Sequence, residues 1–525
     1  MTSFDADISL PIMPDGAFSI DAVLNRFTHF GVELGLERIQ RLLAALGNPQ
    51  EQVPVLHVAG SNGKGSVCAY LAAALQQAGY RVGRYTSPHL VSWCERIWIN
   101  GADIAPQVLY DVLQEVVAAI APDQPSPTQF EVITAAAWLH FARQRVDIAV
   151  VEVGLGGRLD ATNVCDRPLV SVITSLSREH WQRLGPTLAD IAREKAGILK
   201  PGCPVAIAPQ PSEVEAVLKQ RVVELHCPAV WVSPAVDLGE GWAEYQGWEM
   251  PGEPLSTTTI HSASLKYALP LLGMHQLTNS AVAIAALHLL RAQGWGITDE
   301  AIAQGIAHTR WQGRLQWLTW KGHQLLVDGA HNPAGAATLR HYIDQNLITR
   351  NFNQSITKGI TKGITKDSLA SADGDVQQPP LNLSENLSEN LSERSFYGEV
   401  ETRVTRQENS FARELSITWI MGMIANKDHA DVFRELLRAG DRLYLVPVPD
   451  HLSADLEGLA TLAAEVCPEL ESCCLTTDVT SALHLAFQVP AQPAATVLCG
   501  SLYLIGHFFK SVMALDRTPD AAGSG

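Results

Sequence analysis

The segment from His57 to Ser66 reads HVAGSNGKGS and concentrates residue types that bind phosphate. Glycines lack side chains, so backbone N–H groups can approach phosphate oxygens, and a helix N-terminus adds a dipole that favours negative charge. Lys64 adds a positive charge, and Ser66 adds a hydroxyl suited to phosphate or Mg²⁺. The residues predicted to hold nucleotide phosphate are Gly60, Ser61, Asn62, Gly63, Lys64, Gly65 and Ser66.

The spacing in this glycine-rich segment differs from the common phosphate-loop pattern. Gly60 precedes the Gly63-Lys64 pair by only three residues, and Gly65 stands before Ser66. An apolar run at 53–58 predicts a buried strand before it, and apolar residues at helical spacing predict a helix after it that ends at Gly79. The segment is therefore expected to form a strand-to-helix turn.

Other polar side chains follow predicted strands. Glu152 ends a buried strand and precedes a glycine-rich turn, in DIAVVEVGLGGRLDATN. A carboxylate at the carboxyl ends of parallel strands can approach Mg²⁺ held by a nucleotide. The residues Thr86, Ser87, Pro88 and His89 follow another strand, and His180 follows a third. We expect these residues to lie along one edge of the sheet.

Two of the candidate residues are ambiguous from their own chemistry. Mg²⁺ prefers oxygen ligands and isolated histidines are usually structural, so His180 is only a weak candidate ligand. Lys195, in AREKAGIL, has the pattern of an ordinary lysine on a helix surface. Neither residue is assigned a role by these criteria.

Another predicted strand, in LLVDGAHNPAG, is followed by side chains that could take part in binding or catalysis. Asn332 can cap the following helix, and Pro333 can occupy its first turn. Asp328 and His331 are not needed for capping. We expect them to belong to a second domain and to face the first one.

The order of elements predicts an α/β protein with two domains. Strand-like runs at 81–85, 148–153, 169–174 and 205–208 alternate with helical stretches, as in a parallel sheet. Antiparallel strands are expected at 230–268, before a helix at 277–290. Further strands are expected from 324 and at 417–424, 442–446 and 495–498. We predict an N-terminal P-loop ATPase-like domain at 1–310 and a smaller C-terminal Rossmann-like α/β domain at 311–525.

An insertion at about 346–412 interrupts the second domain. It contains ITKGITKGITKD and NLSENLSENLSE, each a tandem triplication of four residues. Repeats this short cannot sustain a packed core, so this segment is expected to be disordered or weakly ordered.

Bulk composition narrows the class of protein. The 525 residues suggest two or three domains, and 46% are hydrophobic, enough to build their cores. A net charge of −17 opposes nonspecific binding to nucleic acid or to an anionic membrane, so a small-molecule substrate is expected. The nine cysteines include no CxxC pair, which favours reduced thiols. With no apolar segment long enough to span a bilayer, the protein is expected to be cytoplasmic.

Taken together, these stretches resemble the folylpolyglutamate synthase and dihydrofolate synthase family, a branch of the Mur-ligase-like ATP-dependent amide ligases. The resemblance covers nearly the whole chain outside the insertion. The stretches that carry it are HVAGSNGKGS, YTSPHLVSWCERIWING, TQFEVITAAAW, VVEVGLGGRLDATN, EHWQRLGPTLADIAREKAGI, GMHQLTN, GRLQW, VDGAHNP and GSLYLIG. Ser61 stands where threonine is usual, and Glu179 stands where aspartate commonly precedes the metal histidine.

The resemblance implies roles for individual residues. The glycine-rich loop would hold ATP phosphates, and Lys195 matches a lysine that the family carbamylates, giving an oxygen ligand compatible with one of two Mg²⁺ ions. The positions that match metal ligands are Ser87, Glu152 and His180. The positions that match ATP contacts are Asn279, Arg314 and Asp328. The positions that match the pterin pocket are Thr128, Gln129, Phe130, Glu131, Leu159, Asp160 and Ala161. The positions that match the surroundings of the reacting groups and glutamate are His331 and Ser501.

The implied reaction joins L-glutamate to dihydropteroate, to the γ-carboxylate of reduced folates, or to both, through an acyl phosphate made with ATP. Lys64, Lys195 and His331 are the implied catalytic residues. One alternative is a Mur-type ligase acting on a UDP-sugar, but fewer than 60 residues precede Gly60, too few for the usual UDP-binding domain. Another is a regulatory ATPase. The expected partners are small molecules only, and the family habit is a monomer.

Overall fold

The structure is a computed structural model. It describes residues 19–28, 33–247, 264–348, 416–425, 427–449, 452–488 and 494–512. Its contacts divide the chain into two compact units. The first comprises Met1–Gln316, Val327–Gly335 and Ser501–Gly525, and the second comprises Trp317–Leu326 and Ala336–Gly500.

The chain alternates strands and helices through both units. In chain order the strands are β1 (Val55–Ala59), β2 (Val82–Tyr85), β3 (Ile97–Ile99), β4 (Ala102–Asp103), β5 (Ile148–Glu152), β6 (Val170–Ile173), β7 (Val205–Ile207), β8 (Ala229–Trp231), β9 (Val236–Gly239), β10 (Trp242–Tyr245), β11 (Leu265–Ala268), β12 (Gln316–Trp320), β13 (His323–Val327), β14 (Ile417–Met421), β15 (Arg442–Leu445), β16 (Ser472–Leu475) and β17 (Ala495–Cys499). The helices are α1 (Ile20–Asn25), α2 (Glu37–Ala45), α3 (Lys64–Gln77), α4 (Pro106–Ala118), α5 (Gln129–Arg143), α6 (Trp181–Leu184), α7 (Leu188–Lys195), α8 (Ser212–Glu224), α9 (His275–Ala292), α10 (Asp299–Ala307), α11 (Pro333–Ile343), α12 (His429–Leu436), α13 (Leu456–Val466), α14 (Val479–Gln488) and α15 (Leu502–His507).

The first unit contains an eight-stranded sheet in the order β4-β3-β2-β5-β1-β6-β7-β8. The strands from β2 to β8 in this order are parallel, and β3 and β4 add an antiparallel edge. All five residues of both β1 and β5 are buried, as expected where helices cover both faces of a parallel sheet. This arrangement confirms the predicted parallel α/β class.

Alternate residues of β1 enter two different cores. Leu56 and Val58 pack in a cluster with apolar residues of α3, α9 and α10. Val55 packs on the other face with apolar residues of α2, α4 and α5. Because both cores hold β1 and β5 in place, the loops at their carboxyl ends have a rigid base.

A three-stranded antiparallel sheet in the order β11-β10-β9 also belongs to the first unit. The antiparallel strands predicted in this region are confirmed, except that β8 joins the large parallel sheet. The predicted helix at 277–290 is confirmed as α9. Residues 248–263 lie outside the described residues.

The second unit is built on a six-stranded sheet in the order β12-β13-β17-β14-β15-β16. Strand β14 runs parallel to β15 and β17, and β15 runs parallel to β16. The predicted second α/β fold is therefore confirmed. The contacts group the segments Val327–Gly335 and Ser501–Gly525 with the first unit. Asp328 and His331 therefore belong to the first unit, whereas the sequence analysis expected them in the second domain. Most of the repeat-rich insertion lies outside the described residues.

Within the described ranges, no helix combines the length and apolar character needed to cross a membrane.

Candidate active site

The glycine-rich segment forms the predicted turn between β1 and α3. The helix begins at Lys64. Gly63 adopts a φ of +89°, and a Cβ there would lie 2.2 Å from Oδ1 of Asn279. At Gly60 a Cβ would lie 1.8 Å from Oγ1 of Thr174. Glycine is thus required at both positions by close approach of neighbouring side chains.

Lys64 bends back over this loop. Its Nζ donates hydrogen bonds of 3.0 Å to the carbonyl of Gly60 and 3.1 Å to the carbonyl of Ser61. The loop is also held by the segment after β6, where Ser61 N donates to the carbonyl of Ser175 at 3.0 Å and Asn62 Nδ2 donates to Oγ of Ser177 at 3.1 Å. The ammonium is therefore placed beside the backbone of the loop that phosphate would meet.

Lys195 is not the surface lysine that its local sequence indicated. It is only 2% exposed, and its Nζ donates 2.7 Å hydrogen bonds to the carbonyl of Gly60 and to Oε1 of Glu179. Burial opposes the charge of Glu179, but Lys195, Lys64 and His180 together hold the pKa of its carboxyl well below the usual range. Burial lowers the pKa of Lys195, and Glu179 partly offsets this effect. The interpretation failed because both partners of Lys195 lie outside its local segment, Glu179 16 residues and Gly60 135 residues earlier in the chain.

Glu152 ends β5 beside the phosphate loop, and its Oε2 accepts a 3.1 Å hydrogen bond from the N–H of Ser87. Burial raises the pKa of Glu152, and the charges of Lys64, Arg314 and Arg84 act in the opposite direction. His180 caps α6 in the left-handed conformation. Among the described residues, no group of three or more histidine, cysteine or carboxylate side chains could by itself hold a metal ion.

Asn279 lies on α9 directly against Gly63 of the phosphate loop and is also bonded to a buried glutamine. Its Nδ2 donates a 3.0 Å hydrogen bond to Oε1 of Gln276, which also accepts one of 3.2 Å from the hydroxyl of Tyr70. The amide of Gln276 lies 3.4 Å from Oγ of Ser66. Gln276 is fully buried and connects these groups. It belongs to the stretch GMHQLTN, but the sequence interpretation selected only Asn279 from it.

The segment around Asp328 turns back onto residues 313–315. Asp328 accepts hydrogen bonds of 2.8 Å from the N–H of Leu315 and 2.9 Å from the N–H of Ala330. Burial raises the pKa of Asp328, and the charge of Arg314 partly offsets this. The guanidinium of Arg314 lies over Gly329, where a Cβ would be 2.0 Å from Nη1. Asp328 thus fixes the backbone beside Arg314.

Asn332 and His331 follow directly. Asn332 Oδ1 accepts a 2.8 Å hydrogen bond from the N–H of Gly335, which confirms the predicted helix cap. Its Nδ2 also donates a 3.0 Å hydrogen bond to Oδ1 of Asn62 in the phosphate loop. His331 Nδ1 lies 2.8 Å from the carbonyl of Gly329. Of the residues at this strand end, Asn332 reaches the phosphate loop, through its bond to Asn62.

The first part of the predicted pterin pocket is the start of α5. Thr128 caps the helix, with its hydroxyl accepting from the N–H of Glu131 while Glu131 Oε2 accepts from the N–H of Thr128 at 2.6 Å. Arg38 Nε donates to the same oxygen at 3.0 Å. Gln129 is the first residue of the helix, and Phe130 lies against Gly154, where a Cβ would be 2.4 Å from its ring. This contact joins α5 to the turn after β5.

The second part of the predicted pocket is a buried hydrogen-bonded chain. Asp160 accepts from the N–H of Leu155 at 2.7 Å and from the N–H and hydroxyl of Thr162 at 3.0 and 2.5 Å. The hydroxyl of Thr162 has one proton, so His57 Nε2, 2.9 Å away, is the donor in the next bond. Burial, with a smaller effect of Lys200, lowers the pKa of His57 to about 3. The neighbouring residues are Leu159, whose carbonyl accepts from Gly35, and the buried Ala161.

Ser501, predicted to lie near the reacting groups, is found at the start of the short helix α15. It caps the short helix α15, and its Oγ accepts a 3.2 Å hydrogen bond from the N–H of Tyr503. Within the described part of the chain, its side chain forms no hydrogen bond to the phosphate loop or to Glu152. Its local role is to cap a helix.

The fold and this site define an ATP-dependent ligase of the Mur type, with a glycine turn on a parallel sheet, a loop lysine and a buried carboxylate at the adjacent strand end. Residues 58–287 match the Mur ligase middle domain family, and residues 399–511 match the family described as dihydrofolate synthetase, C-terminal domain. The chain is 37% identical over 323 residues to the dihydrofolate synthase/folylpolyglutamate synthase of Bacillus subtilis, covering 60% of this chain and 73% of that protein. It belongs to the dihydrofolate synthase/folylpolyglutamate synthase family.

Solved structures of family members agree with the fold. A Mycobacterium tuberculosis folylpolyglutamate synthase complexed with ADP and AMPPCP has a TM-score of 0.70 and 26% identity, covering 95% of this chain and 99% of that chain. Escherichia coli FolC in complex with DHPP and ADP has a TM-score of 0.66 and 26% identity, covering 94% and 97%. The predicted family, α/β fold and ATP-dependent ligase class are thus confirmed.

Proposed function

We propose that this enzyme uses ATP to join the amino group of L-glutamate to the carboxylate of dihydropteroate and to the γ-carboxylate of reduced folates. A substrate carboxylate oxygen bonds to the γ-phosphorus of ATP as the bond to ADP breaks, which gives an acyl phosphate. The glutamate nitrogen then displaces inorganic phosphate and loses a proton. The single observation that carries the proposal is the placement of Lys64 Nζ over the glycine loop, within 3.1 Å of two of its carbonyls.

The chain's own residues act mainly by binding and charge. Lys64 and Arg314 would stabilise the negative charge that moves between the phosphate oxygens, because fixed cations in a partly buried site act more strongly than in water. The residues proposed to contact the nucleotide are Gly60, Ser61, Asn62, Gly63, Gly65, Ser66, Asn279 and Asp328. The residues proposed to bind the pterin are Thr128, Gln129, Phe130, Glu131, Leu159, Asp160 and Ala161. His331 and Ser501 are proposed to lie near glutamate and the reacting groups.

Ser87, Glu152 and His180 are proposed to hold Mg²⁺. Magnesium in nucleotide enzymes is usually bound by one or two protein carboxylates and by phosphate oxygens, so few protein ligands are needed. The buried Glu152 carboxylate, 3.1 Å from the N–H of Ser87, suits this chemistry. When bound, the ion would reduce the charge repulsion between phosphate and the incoming carboxylate.

Lys195 is proposed to be carbamylated in the active enzyme. Its amine would combine with CO₂ and release a proton, and burial, which lowers the pKa of Lys195, favours the neutral amine that reacts. The carbamate would be an anion next to Glu179, which now binds the ammonium at 2.7 Å. Carbamylation should therefore depend on Mg²⁺ to offset the charge of the two anions, and intact-protein mass should rise only when CO₂ and Mg²⁺ are both supplied.

The test measures labelled glutamate incorporated into dihydropteroate and, separately, into tetrahydrofolate, together with phosphate release. A ligase requires both co-substrates for phosphate release, whereas a regulatory ATPase would release phosphate without them. Lys64→Met should lower the rate by about 100-fold or more, the size typical of losing one charge that stabilises a transition state. Lys219→Met, on the exposed surface of α8, is the control. Incorporation into a UDP-sugar, or an undiminished rate in Lys64→Met, would overturn the proposal.

A further inference from the structure

Arg84 lies between two tryptophan rings next to the phosphate loop. Its guanidinium carbon is 4.7 Å from the ring centre of Trp98 and 4.8 Å from that of Trp311. Trp98 is the cross-strand neighbour of Arg84 where β2 pairs with β3. Trp311 comes from the segment that follows α10, so the arginine joins a strand of the sheet to a distant part of the same unit.

The charge of Arg84 is only partly offset, because the carboxylates of Asp103 and Glu152 act on it without forming an ion pair. In the part of the chain that the structure describes, Arg84 forms no ion pair, and its buried Nε has no hydrogen-bond partner. An indole ring attracts a cation through the negative potential of its face, but it carries no net charge. The positive field of Arg84 therefore still acts on its surroundings, which include the buried Glu152 carboxylate.

Trp311 also contacts the phosphate loop directly. A Cβ on Gly65 would lie 2.7 Å from Cζ2 and 3.0 Å from Nε1 of Trp311. The indole thus occupies the space where any other residue at position 65 would place its side chain. Three residues later the chain reaches Arg314, whose guanidinium lies over Gly329. A shift of Trp311 would therefore displace both the loop and the arginine proposed to contact ATP.

We propose that Arg84 is a positioning residue for nucleotide binding: by stacking between Trp98 and Trp311, it holds the Trp311 indole against Gly65 and so fixes the phosphate loop and Arg314. Its charge adds to the positive field of Lys64 and Arg314 in the same region. The inference rests on the proposed function in one respect, since it takes the ligand of the loop to be ATP.

The experiment compares Arg84→Lys, Arg84→Met, Trp311→Leu and the double variant Arg84→Met/Trp311→Leu. ADP binding is measured by calorimetry, and KM for ATP and for glutamate by steady-state kinetics. Since a buried cation–π contact contributes about 1–2 kcal/mol, Arg84→Met should weaken ADP binding by about five- to thirtyfold. KM for ATP should rise in parallel, and KM for glutamate should change less than about twofold. Arg84→Lys should recover only part of the loss, because lysine keeps the charge but lacks the planar group that stacks on both rings.

The double variant distinguishes positioning from a separate contribution of each residue. If Arg84 acts through Trp311, the double variant should bind ADP no more weakly than the weaker single variant. Additive losses, or unchanged ADP binding in Arg84→Met, would overturn the inference. Arg81→Met is the matched control, because this arginine precedes the same strand but is exposed and hydrogen-bonded to Gln144.

Misfolding and failure of the proposed function are separated by two further measurements. Near-ultraviolet circular dichroism should change in Arg84→Met, since two indoles lose their common neighbour, while the far-ultraviolet spectrum should match wild type. Altered far-ultraviolet spectra in all Arg84 variants would show a general folding role and would contradict a specific positioning role. If wild-type protein binds ADP but ligates no glutamate, the proposed function fails and the ADP measurements still decide this inference.

Discussion

The side-chain amide of Asn332 donates a 3.0 Å hydrogen bond to Oδ1 of Asn62. One residue therefore caps a helix through its oxygen and holds the phosphate loop through its nitrogen. Capping alone would be satisfied by aspartate or serine as well. The bond to Asn62 accounts for an amide at this position.

The two functions of Asn332 can be separated by substitution. Asn332→Asp keeps a capping oxygen but places a carboxylate against Oδ1 of Asn62, so ADP binding should weaken by about tenfold with little loss of stability. Asn332→Ala removes both bonds and should also lower the free energy of unfolding by about 1 kcal/mol. Calorimetry with ADP and urea unfolding measure the two effects. Asp455→Ala, which removes the cap of α13, should lower stability only. Equal ADP affinity in Asn332→Asp and wild type would contradict this prediction.

The buried pair of Lys195 and Glu179 predicts an asymmetric mutant series. Lys195→Met leaves a buried carboxylate without its partner, which should destabilise the fold by about 3–5 kcal/mol. Lys195→Met/Glu179→Gln removes the uncompensated charge as well, so urea unfolding should show part of the stability restored while ligation stays lost. If the double variant is less stable than Lys195→Met, the two residues do not act as a compensating pair. Because the fold holds the pKa of Glu179 below its ordinary value of about 4.5, this stabilisation is present above about pH 4.5 and is lost as pH falls further.

The sequence predicted the features that depend on local pattern. The strand, glycine turn and helix around Lys64 are encoded by residues within a few positions of one another. Apolar runs also indicate most strands of the two large sheets, but not β3, β4, β12 or β16. It could not predict features that depend on distant partners. AREKAGIL describes a helix with a lysine, but not that Glu179 and the Gly60 carbonyl meet that lysine in the interior.

The same limit applies to Gln276 and Arg84. Gln276 was visible within a motif, yet nothing near it in sequence indicates that Tyr70, Ser66 and Asn279 converge on its amide. Arg84 lies in the short strand β2, and the residues around it in the sequence do not indicate what its side chain contacts. Its stacking partner Trp311 lies more than 200 positions away in the sequence.

The hydrogen bonds that link Asp160, Thr162 and His57 predict that a substitution here weakens binding of the pterin substrate rather than of the nucleotide. Thr162→Val removes one donor to Asp160 and leaves the buried Nε2–H of His57 without an acceptor, which should cost about 1–3 kcal/mol of stability. Because Asp160 would lose its orientation, KM for dihydropteroate should rise more than KM for ATP. Thr418→Val is the matched control, since its hydroxyl is buried with no hydrogen-bond partner among the described residues. Equal changes in both KM values would argue against an orienting role.

The buried His288, which lies outside the candidate active site, should make the stability of the fold depend on pH. It is 2% exposed on α9, and burial, with a smaller effect of Arg291, lowers its pKa from 6.5 to about 4. Asp299 lies 3.8 Å from Nε2, too far for a hydrogen bond, and it already binds Arg291, so it does not reverse the shift. Between these two pKa values the unfolded chain takes up a proton that the folded chain does not. Stability must therefore fall as pH decreases from 6.5 towards 4.

The size of this effect follows from the shift. Lowering the pH from 7 to 5 should cost about 2 kcal/mol through His288 alone. His288→Leu should remove that share of the pH dependence, measured by urea unfolding at both pH values, and leave kcat unchanged because the residue is remote from the loop. His308→Leu, at an exposed position, should leave the pH dependence as it is. The window lies above pH 4.5, where the Glu179 pair is still intact, so the two contributions can be measured separately. A slope in His288→Leu equal to that of wild type would show that folding does not lower the pKa of this imidazole.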